Sequence, residues 1–309
     1  MTSNPVVTII GSYVVGLTIR APRFPVAGET LIGGDFDFGP GGKGSNQAVG
    51  CTRMGANVQL LLKIGKDQFA ETALELYLKE IIDTKNVIQT EEANTGVAFI
   101  TLNQEGENHI ILDVGANDLL SVEEVDQIVD RIAVSNVVMA VLEIRPETAG
   151  RAMALGRKHG VITILNPAPA RKLPGEILAN IDVITPNETE LRTLLGIEPD
   201  EYGDVQEMAR DLQSRGVKNV IVTQGASGAL ILTEDGKIKQ IPGIKVNVVD
   251  TTGAGDAFNA ALATELGKGK DLESATRVAV IAGGLCCTKL GVIPALPNRE
   301  EVENFLAKI

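Results

Sequence analysis

Residue types that build metal centres and disulfide frameworks are scarce in this sequence. Its 309 residues include no tryptophan, two histidines and three cysteines. Cys286 and Cys287 are adjacent and poorly placed for an ordinary disulfide, and Cys51 stands alone, so we expect free thiols and a reducing, cytoplasmic location. With only His109 and His159, neither a zinc site of standard spacing nor a histidine-based catalytic triad is expected.

Basic charge and long hydrophobic runs are also in short supply. The 28 Lys and Arg residues against 40 Asp and Glu residues give a net charge of −12. Nucleic acid and anionic membranes need a basic face, so neither is expected as a partner. The uncharged stretch 1–19 is interrupted by Pro5, Gly11 and Gly16 and is predicted to be a buried strand followed by a loop, and 278–288 is too short to span a bilayer.

What the chain does contain is an alternation of short apolar runs and amphipathic stretches. The runs predicted as buried parallel strands are 6–10, 58–64, 137–142, 161–165, 183–185 and 220–223. The predicted helices cover 70–82, 122–133, 147–159, 188–195 and 205–215. This order predicts an α/β fold with a mostly parallel central sheet flanked by helices, in a single domain over residues 1–309.

Two segments, 28–38 and 95–114, interrupt this alternation with shorter strands. The second has a turn at 104–108 and is predicted to form a hairpin. From the residues alone, the pair is either an edge decoration of the main sheet or a lid over a site. An exposed sheet of this kind could also pair with a second copy, which favours a homodimer.

The segment DTTGAGDAF at 250–258 has the strongest signal for chemistry. The residues after it are good helix formers, so Gly253, Ala254 and Gly255 lie at a predicted helix N-terminus, where backbone N–H groups lack partners and the dipole is positive. Glycines let an anion approach that backbone closely, which favours a phosphate site. Asp256 is either a simple helix cap or a functional acid, and the glycines beside it favour function.

A glycine-rich segment, FGPGGKGSNQ at 38–47, is the second signal. Its glycines formally match GxGxxG, but Pro40 interrupts the turn and no acidic residue ends a strand about twenty residues later, so dinucleotide binding is rejected. A Walker A loop also fails, because Lys43 is followed by Gly44. We predict a loop in which Lys43 and Asn46 bind a polyhydroxylated molecule.

Three weaker signals lie where predicted strands end. Asn187 and Glu190 in TPNETE form either a capping box or a magnesium site that acts through water. The segment TQGASG at 223–228 is a glycine-rich turn. Glu143 follows a buried run, at the sheet edge where α/β proteins bind ligands.

Together these segments resemble the ribokinase family within the larger phosphofructokinase-B group of carbohydrate kinases. The similarity covers nearly the whole chain, through PVAGET, GGKGSNQAV, TGVAFI, NPAPAR, ITPNETE, VTQGASGA and VDTTGAGDAFNAAL. The elements GGKGxNQ and DTxGAGDxF, in this order, are highly specific. The resemblance implies a ribokinase-like three-layer fold with a small β-sheet lid, made from about 14–38 and 95–114 and often shared in a dimer, and a sugar between lid and core.

The resemblance also implies a role for individual residues. Asp256 would be the catalytic base, and the anion hole would be Gly253, Ala254 and Gly255. The sugar would be bound by Gly42, Lys43, Asn46 and Glu143, together with Asp256. ATP would lie against Asn187, Thr223, Gly225, Ser227, Gly228 and Gly255. Magnesium would be held through water by Asn187 and Glu190, and potassium, mostly by carbonyl groups, at Asp250, Thr252, Cys286, Lys289, Gly291 and Ala295.

The chain departs from the family pattern at one end of the sugar pocket. Ribokinases typically have GSxNxD there, whereas this sequence is GSYVVG, with Val14 and Gly16 in place of the two polar residues. Two buried sugar hydroxyls without partners, at roughly 1–3 kcal/mol each, would weaken ribose binding about 30-fold or more. A second departure is Ala295, where a serine is usual.

We therefore expect an ATP-dependent kinase that acts on ribose or a related sugar or polyol, with an apolar part of the acceptor facing Tyr13 and Val14. The alternatives are a nucleoside kinase of the same fold and a non-catalytic regulator that binds ATP or sugar.

Overall fold

The computed structural model describes residues 4–105 and 107–308. Within them the strands are β1 (Val6–Ile10), β2 (Val14–Arg20), β3 (Gly34–Gly41), β4 (Asn57–Gly65), β5 (Val87–Thr90), β6 (Gly96–Leu102), β7 (Asn108–Asp113), β8 (Val137–Val141), β9 (Ile162–Asn166), β10 (Val183–Ile184), β11 (Asn219–Thr223), β12 (Ala229–Leu232) and β13 (Ile238–Ile241). The α-helices are α1 (Lys43–Arg53), α2 (Gln68–Lys79), α3 (Val122–Asp126), α4 (Val129–Ala133), α5 (Pro146–Lys158), α6 (Gly175–Leu178), α7 (Glu188–Leu195), α8 (Val205–Ser214), α9 (Ala254–Gly267), α10 (Leu272–Cys286) and α11 (Arg299–Leu306).

A nine-stranded sheet forms the middle layer, in the order β13-β12-β11-β10-β9-β8-β1-β4-β5. All neighbours from β11 to β5 are parallel, and β12 and β13 add an antiparallel edge. Successive side chains of a strand point to opposite faces, so Val137 and Met139 join one buried cluster while Val138 and Ala140 join another. The first cluster lies under α1, α2, α9 and α10, and the second under α5, α7 and α8. The predicted three-layer α/β fold is confirmed.

A separate four-stranded sheet has the order β3-β2-β6-β7. β2 pairs with β6 in parallel, and the outer pairs are antiparallel. The predicted hairpin is therefore present as β6 and β7, while Gly106 of its predicted turn lies outside the described residues. The prediction of a loop after the first strand was wrong, because Val14–Arg20 forms the strand that joins the two halves of this sheet.

Two helices also differ from their predictions. The expected loop at 38–47 becomes a helix at Lys43, after Gly42 turns the chain with a φ of 86°. Gly44 lies so close to Gly11 that a Cβ on Gly44 would be 2.6 Å from the Gly11 Cα, so the helix packs directly on the end of β1. The predicted helix 122–133 is broken into α3 and α4 at Ile128, whose backbone is not helical.

The three cysteines carry free thiols. Burial raises the pKa of Cys51 and of Cys286 to about 12, so neither is a ready thiolate nucleophile. Among the helices of residues 4–105 and 107–308, none combines the length and apolar character that crossing a membrane requires.

Candidate active site

A cleft of about 220 Å³ lies at the carboxyl ends of β9, β10 and β11, where α1 and α9 begin. This is the edge at which open α/β sheets bind ligands. Seven residues predicted to be functional line it, namely Lys43, Asn187, Glu190, Thr223, Gly253, Gly255 and Asp256. It is also lined by Asn166, Ala168, Thr185, Thr251 and Asn259.

The N-terminus of α9 forms one wall of this cleft. Gly253 is the N-cap, with a left-handed φ of 83°, and a Cβ there would lie 2.7 Å from Val292 Cγ1. Gly255 is different, because a Cβ at that position would meet no heavy atom within 4 Å. Packing within the protein therefore does not require a glycine at position 255. A ligand that approaches the N–H groups of Gly255 and Asp256 closely would require one.

Asp256 follows these glycines in the first turn of α9 and is only 6% exposed. Its Oδ2 accepts a hydrogen bond from Asn46 Nδ2 at 2.8 Å, and its Oδ1 accepts one from Gln47 Nε2 at 3.0 Å. Both donors belong to α1, so the carboxylate joins the two helices and does not cap its own. This geometry rejects the explanation of Asp256 as a simple helix cap.

Lys43 is surrounded by three carboxylates. Desolvation alone would lower the pKa of its ammonium group, but Asp256, Glu143 and Glu190 together raise it. The Oε2 of Glu143 accepts hydrogen bonds from Ser12 Oγ at 2.6 Å and from the Lys43 N–H at 2.8 Å. Burial raises the pKa of Glu143 in spite of these donors. The site is therefore a strongly coupled group of charges around one cation, which is typical of functional clefts.

Asn187 and Glu190 at the start of α7 form a complete capping box. The Glu190 N–H donates to Asn187 Oδ1 at 2.7 Å, and the Asn187 N–H donates to Glu190 Oε2 at 2.8 Å. The structural explanation of this pair is thus correct, but both residues also line the cleft. Burial raises the pKa of Glu190, and the charge of Asp256 adds to that rise. The oxygen atoms of Asn187 and Glu190 are hard ligands of the kind that would suit a hydrated magnesium ion.

The predicted nucleotide segment begins at the end of β11. The Thr223 N–H donates to Pro186 O at 2.9 Å, which places Thr223 next to Asn187. Gly225 and Ser227 lie beyond it in a short 3-10 helix and are exposed. Gly228 has a φ of 90° and packs against the backbone of β13. Only Thr223 of these four residues lines the cleft.

The predicted cation site is a pair of loops joined by Asp250. Its Oδ1 accepts from the Thr252 N–H at 2.9 Å and from Thr252 Oγ1 at 2.6 Å, and its Oδ2 accepts from the Gly291 N–H at 3.0 Å. The Cys286 thiol lies 3.8 Å from Thr252 O. These contacts fix the two loops whose carbonyl groups were predicted to face potassium. Among the described residues, no cluster of three His, Cys, Asp or Glu side chains suited to a metal is found.

Lys289 and Ala295, the other two residues of the predicted cation site, take no part in the contacts of Asp250. The Lys289 ammonium group forms an ion pair with Glu301 at 2.7 Å, so this side chain is engaged with α11. Ala295 is buried within the hydrophobic cluster on the α9 face of the sheet. Any part that they take in binding a cation would therefore be through their backbone.

Tyr13 does not face the cleft, and the expectation that it would contact the acceptor was wrong. Its side chain is fully buried, with its ring edge-on to Tyr77 and its hydroxyl 2.6 Å from Thr72 Oγ1. Burial raises its pKa to about 12. Tyr13 immediately precedes β2 and, like Val15, belongs to the hydrophobic cluster on the α9 face of the sheet, whereas Val14 belongs to neither cluster.

Val14 and Gly16 instead form an apolar surface on β2. Val14 is buried but belongs to neither hydrophobic cluster of the main sheet, and it lies against the turn that starts α1. Gly16 is paired with Gly39 and Ala98 on the adjoining strands. A Cβ on Gly16 would meet only Ile100 Cδ1 at 3.6 Å and Gly39 O at 3.9 Å, both ordinary contacts. Room for a larger side chain therefore remains at position 16.

Four buried polar residues escaped sequence reasoning. Gln47 Nε2 donates to Asn166 Oδ1 at 2.9 Å as well as to Asp256. Thr185 Oγ1 donates to Asn259 Oδ1 at 2.7 Å, and Asn259 Nδ2 donates to Gly255 O at 2.9 Å. These four residues occur in the segments GGKGSNQ, NPAPAR, ITPNETE and GDAFNAAL. The signal that could have identified them is a polar residue at the end of a buried strand or inside an apolar helix.

An acid beside exposed helix N–H groups, opposite a lysine and two further carboxylates, is the arrangement expected of a phosphotransferase that acts on an alcohol. The model of the pfkB family carbohydrate kinases matches residues 4–299. The chain belongs to this family and is a carbohydrate kinase.

Individual relatives agree with this assignment. The chain is 36% identical to a deoxyribokinase of Salmonella typhimurium over 302 residues, which are 97% of this chain and 98% of the relative. It is 40% identical to a ribokinase of Staphylococcus aureus over 299 residues, 96% and 98% of the two chains. The structure of Arabidopsis thaliana ribokinase complexed with ribose and ATP is similar with a TM-score of 0.89, at 30% identity, over 98% of this chain and 99% of that one.

Proposed function

We propose that this protein transfers the γ-phosphoryl group of ATP to a primary hydroxyl of ribose, deoxyribose or a closely related sugar or polyol, with Asp256 as the catalytic base. The observation that carries the proposal is the placement of the Asp256 carboxylate. It is buried, held by two amides of α1, and located in the turn whose N–H groups face the cleft. The names of the relatives support a sugar as the acceptor.

In the proposed reaction the sugar hydroxyl gives its proton to Asp256 while its oxygen attacks the γ-phosphorus in line and ADP leaves. The positive helix dipole and the N–H groups at Gly253–Asp256 would stabilise the negative charge on the transferred group. Because phosphoryl transfer needs little covalent help, positioning and electrostatics supply most of the rate. The small sheet, acting as a lid, would exclude water as a competing acceptor.

Asn46 and Lys43 are the proposed contacts of the sugar on α1. Asn46 is 5% exposed, and within residues 4–105 and 107–308 its Oδ1 has no hydrogen-bond partner. An unpaired buried acceptor costs about 1–3 kcal/mol, and a sugar hydroxyl would satisfy it. Glu143, whose Oε2 is already bound by Ser12 and the Lys43 N–H, contributes at the same end, next to Gly42.

ATP would extend from Thr223 along Gly225, Ser227 and Gly228, and its phosphates would reach the α9 N-terminus. Magnesium, held through water by Asn187 and Glu190, would neutralise phosphate charge in a chain whose net charge is −12. The loops fixed by Asp250 would bind potassium through backbone carbonyls. Free thiols at all three cysteines support the predicted reducing, cytoplasmic location.

We also propose that two copies associate through the small sheet. Phe38, Leu17, Phe99 and Ile111 lie side by side across its four strands. Three of these four side chains are more than half exposed, so the row is an apolar face suited to a second copy. Sedimentation should give twice the chain mass of 32.6 kDa for the wild type and the single mass for Phe99→Glu. A wild-type monomer at all concentrations would contradict this.

One coupled assay tests the proposed function. Purified protein with Mg-ATP, with and without potassium, is given ribose, 2-deoxyribose, hexoses, polyols and nucleosides, and ADP release is measured. We expect release above background with a pentose or a close relative. A strong preference for nucleosides would favour the nucleoside kinase alternative. No release with any acceptor would overturn the proposal and favour a non-catalytic regulator.

A further inference from the structure

Gln47 stands directly behind the proposed catalytic base and has no role in the proposed reaction so far. It is completely buried in α1. Its Nε2 donates to two acceptors, Asp256 Oδ1 at 3.0 Å and Asn166 Oδ1 at 2.9 Å. Its own Oε1 is buried and has no hydrogen-bond partner among the residues that the structure describes.

The orientation of this amide follows from electrostatics. An ionised carboxylate only accepts hydrogen bonds, so turning the Gln47 side chain over would point Oε1 at the negative charge of Asp256. The observed orientation avoids that repulsion and leaves Oε1 unpaired, which is unfavourable because a buried acceptor stays unsatisfied. An apolar side chain of similar length would avoid the cost. A buried group that stays unsatisfied beside a catalytic carboxylate calls for a functional explanation.

We infer that Gln47 is a positioning residue for Asp256, an inference that rests on the proposed function. Gln47 holds Oδ1 from the inside, whereas Oδ2 lies next to Asn46, the proposed sugar contact. Oδ2 is therefore the oxygen that receives the proton. Asn166, at the end of β9, connects this arrangement to the main sheet, so the plane of the carboxylate is set by three elements, α1, α9 and β9.

A neutral amide suits this task. It fixes the carboxylate without adding a cation, which would compete with Lys43 for the charge of Asp256. The Gln47 donor also leaves the net charge of the cleft unchanged. Since misplacing a reacting group by about 1 Å can cost on the order of 100-fold in rate, a small rotation of Asp256 would be felt mainly in kcat.

The test is Gln47→Met, which keeps the length of the side chain and removes both the donor and the unpaired oxygen. With Mg-ATP and the fastest acceptor of the panel, we expect kcat to fall roughly 10- to 100-fold while KM for both substrates stays within about twofold. Removing the unpaired Oε1 offsets only part of the loss of the two hydrogen bonds to Asp256 and Asn166, so the melting temperature should fall slightly. Near-normal kcat, or a loss confined to KM, would overturn the inference.

Two further measurements separate positioning from a structural effect. Thr8→Val is a matched control, because it removes a buried hydrogen bond to Ser135 Oγ, 2.6 Å long, that has no link to the cleft. It should leave kcat unchanged. In an Asp256→Asn background, adding Gln47→Met should cost less than about twofold, since a residue that acts through Asp256 has nothing left to position. A full, additive loss would contradict the inference.

Failure of the inference and failure of the proposed function give different results. If Asp256→Asn retains wild-type turnover, the proposed base is wrong and the role of Gln47 falls with it. If Asp256→Asn is inactive while Gln47→Met turns over normally, the base stands and only the positioning role is lost.

Discussion

The two sides of the cleft differ in how their chemistry is specified. On the α9 side, polar groups are numerous and nearly all have a defined partner: Asp256 is bound by Asn46 and Gln47, and Asn259 is bound by Thr185. On the β2 side, Val14 and Gly16 present an apolar surface with spare room. The first side belongs to the main sheet and the second to the small sheet.

This difference corresponds to the two tasks of a kinase, the transfer of the phosphoryl group and the recognition of the acceptor. The group that is transferred is the same for every acceptor, so the helix termini that hold it need a fixed geometry. The acceptor is recognised in part by strands of a separate sheet, where a side chain can change without disturbing the core. The α9 side therefore sets the phosphoryl transfer and the β2 side sets the preference among acceptors, and the substitutions below test the two sides in turn.

Apart from the catalytic base itself, the largest effect is expected at Gly255, on the transfer side. Gly255→Ala adds a methyl group that meets no protein atom within 4 Å, so folding should be retained or slightly improved. The same methyl group would obstruct the approach of the phosphate, and we expect kcat/KM for ATP to fall roughly 100-fold. Steady-state kinetics together with thermal melting measures both.

Gly175→Ala is the matched control, since a Cβ there would also find space, with Arg215 O at 3.9 Å as its neighbour. It lies in the first turn of α6, away from the cleft residues, and should change neither kcat nor KM. Full activity of Gly255→Ala would show that no phosphate approaches this backbone.

A smaller effect, of opposite sign, is expected on the acceptor side. The double variant Val14→Asn with Gly16→Asp restores the polar pair that ribokinases typically carry. Position 16 tolerates the change, because Gly16 has an ordinary extended backbone and room for a Cβ. Two recovered hydrogen bonds would raise kcat/KM for ribose about 30-fold.

The acceptor panel should be repeated with this double variant and with Thr18→Asn, which changes the next residue on the same face of β2. Thr18→Asn should leave the ranking of acceptors as it is. An unchanged preference in the double variant would mean that Val14 and Gly16 do not contact the acceptor.

The fold was predictable where local signals agree. Strand 6–10 and helix 188–195 were predicted at their observed bounds, the first from a short apolar run and the second from an amphipathic stretch. Helix α1 was not, because glycines at its start favour a loop. It is stabilised by tertiary packing against α9. The two helices approach so closely that a Cβ on Gly50 would lie 2.6 Å from Ala260 Cβ.

The site was predictable as a set of segments but not as a set of contacts. Asp256 and Asn46 were identified from their motifs. The hydrogen bond between Gln47 and Asp256 joins residues 209 positions apart, so no local pattern reveals it. The direction of Tyr13 was missed for a different reason: in a strand, an error of one residue sends a side chain to the opposite face.

The smallest predicted effect concerns stability, at Glu143 on the acceptor side. Burial raises the pKa of this carboxyl above its ordinary 4.5, so the folded state holds its proton to higher pH than the unfolded state. Stability is then lost as the pH rises above 4.5. Glu143→Gln removes that loss. The free energy of unfolding of the variant minus that of wild type should therefore increase towards pH 7, by at most about 1.4 kcal/mol per pH unit.

Glu265 gives the control of opposite sign. Burial alone would raise its pKa, but Lys268 and Lys270 lower it, so its ionised form stabilises the fold at neutral pH. Glu265→Gln should lose stability relative to wild type as the pH rises through the acid range. Denaturant unfolding at pH 3, 4.5, 5.5 and 7 compares the two variants, because the Glu265 effect is lost below pH 4.5 and the Glu143 effect appears above it. Curves parallel to wild type for both variants would contradict the assigned charges.

The most direct test of the central claim is the rate of phosphoryl transfer in Asp256→Asn. The substitution removes the proton acceptor and keeps the shape, so ATP binding and the melting temperature should remain near wild type while turnover falls roughly 1,000-fold. Glu207→Gln, which neutralises an exposed acid at the same position of another helix, should retain full activity. Formation of the sugar phosphomonoester, followed by phosphorus NMR, is predicted for the wild type and for Glu207→Gln, with none over the same period for Asp256→Asn. Product formation by Asp256→Asn at the wild-type rate would contradict the account.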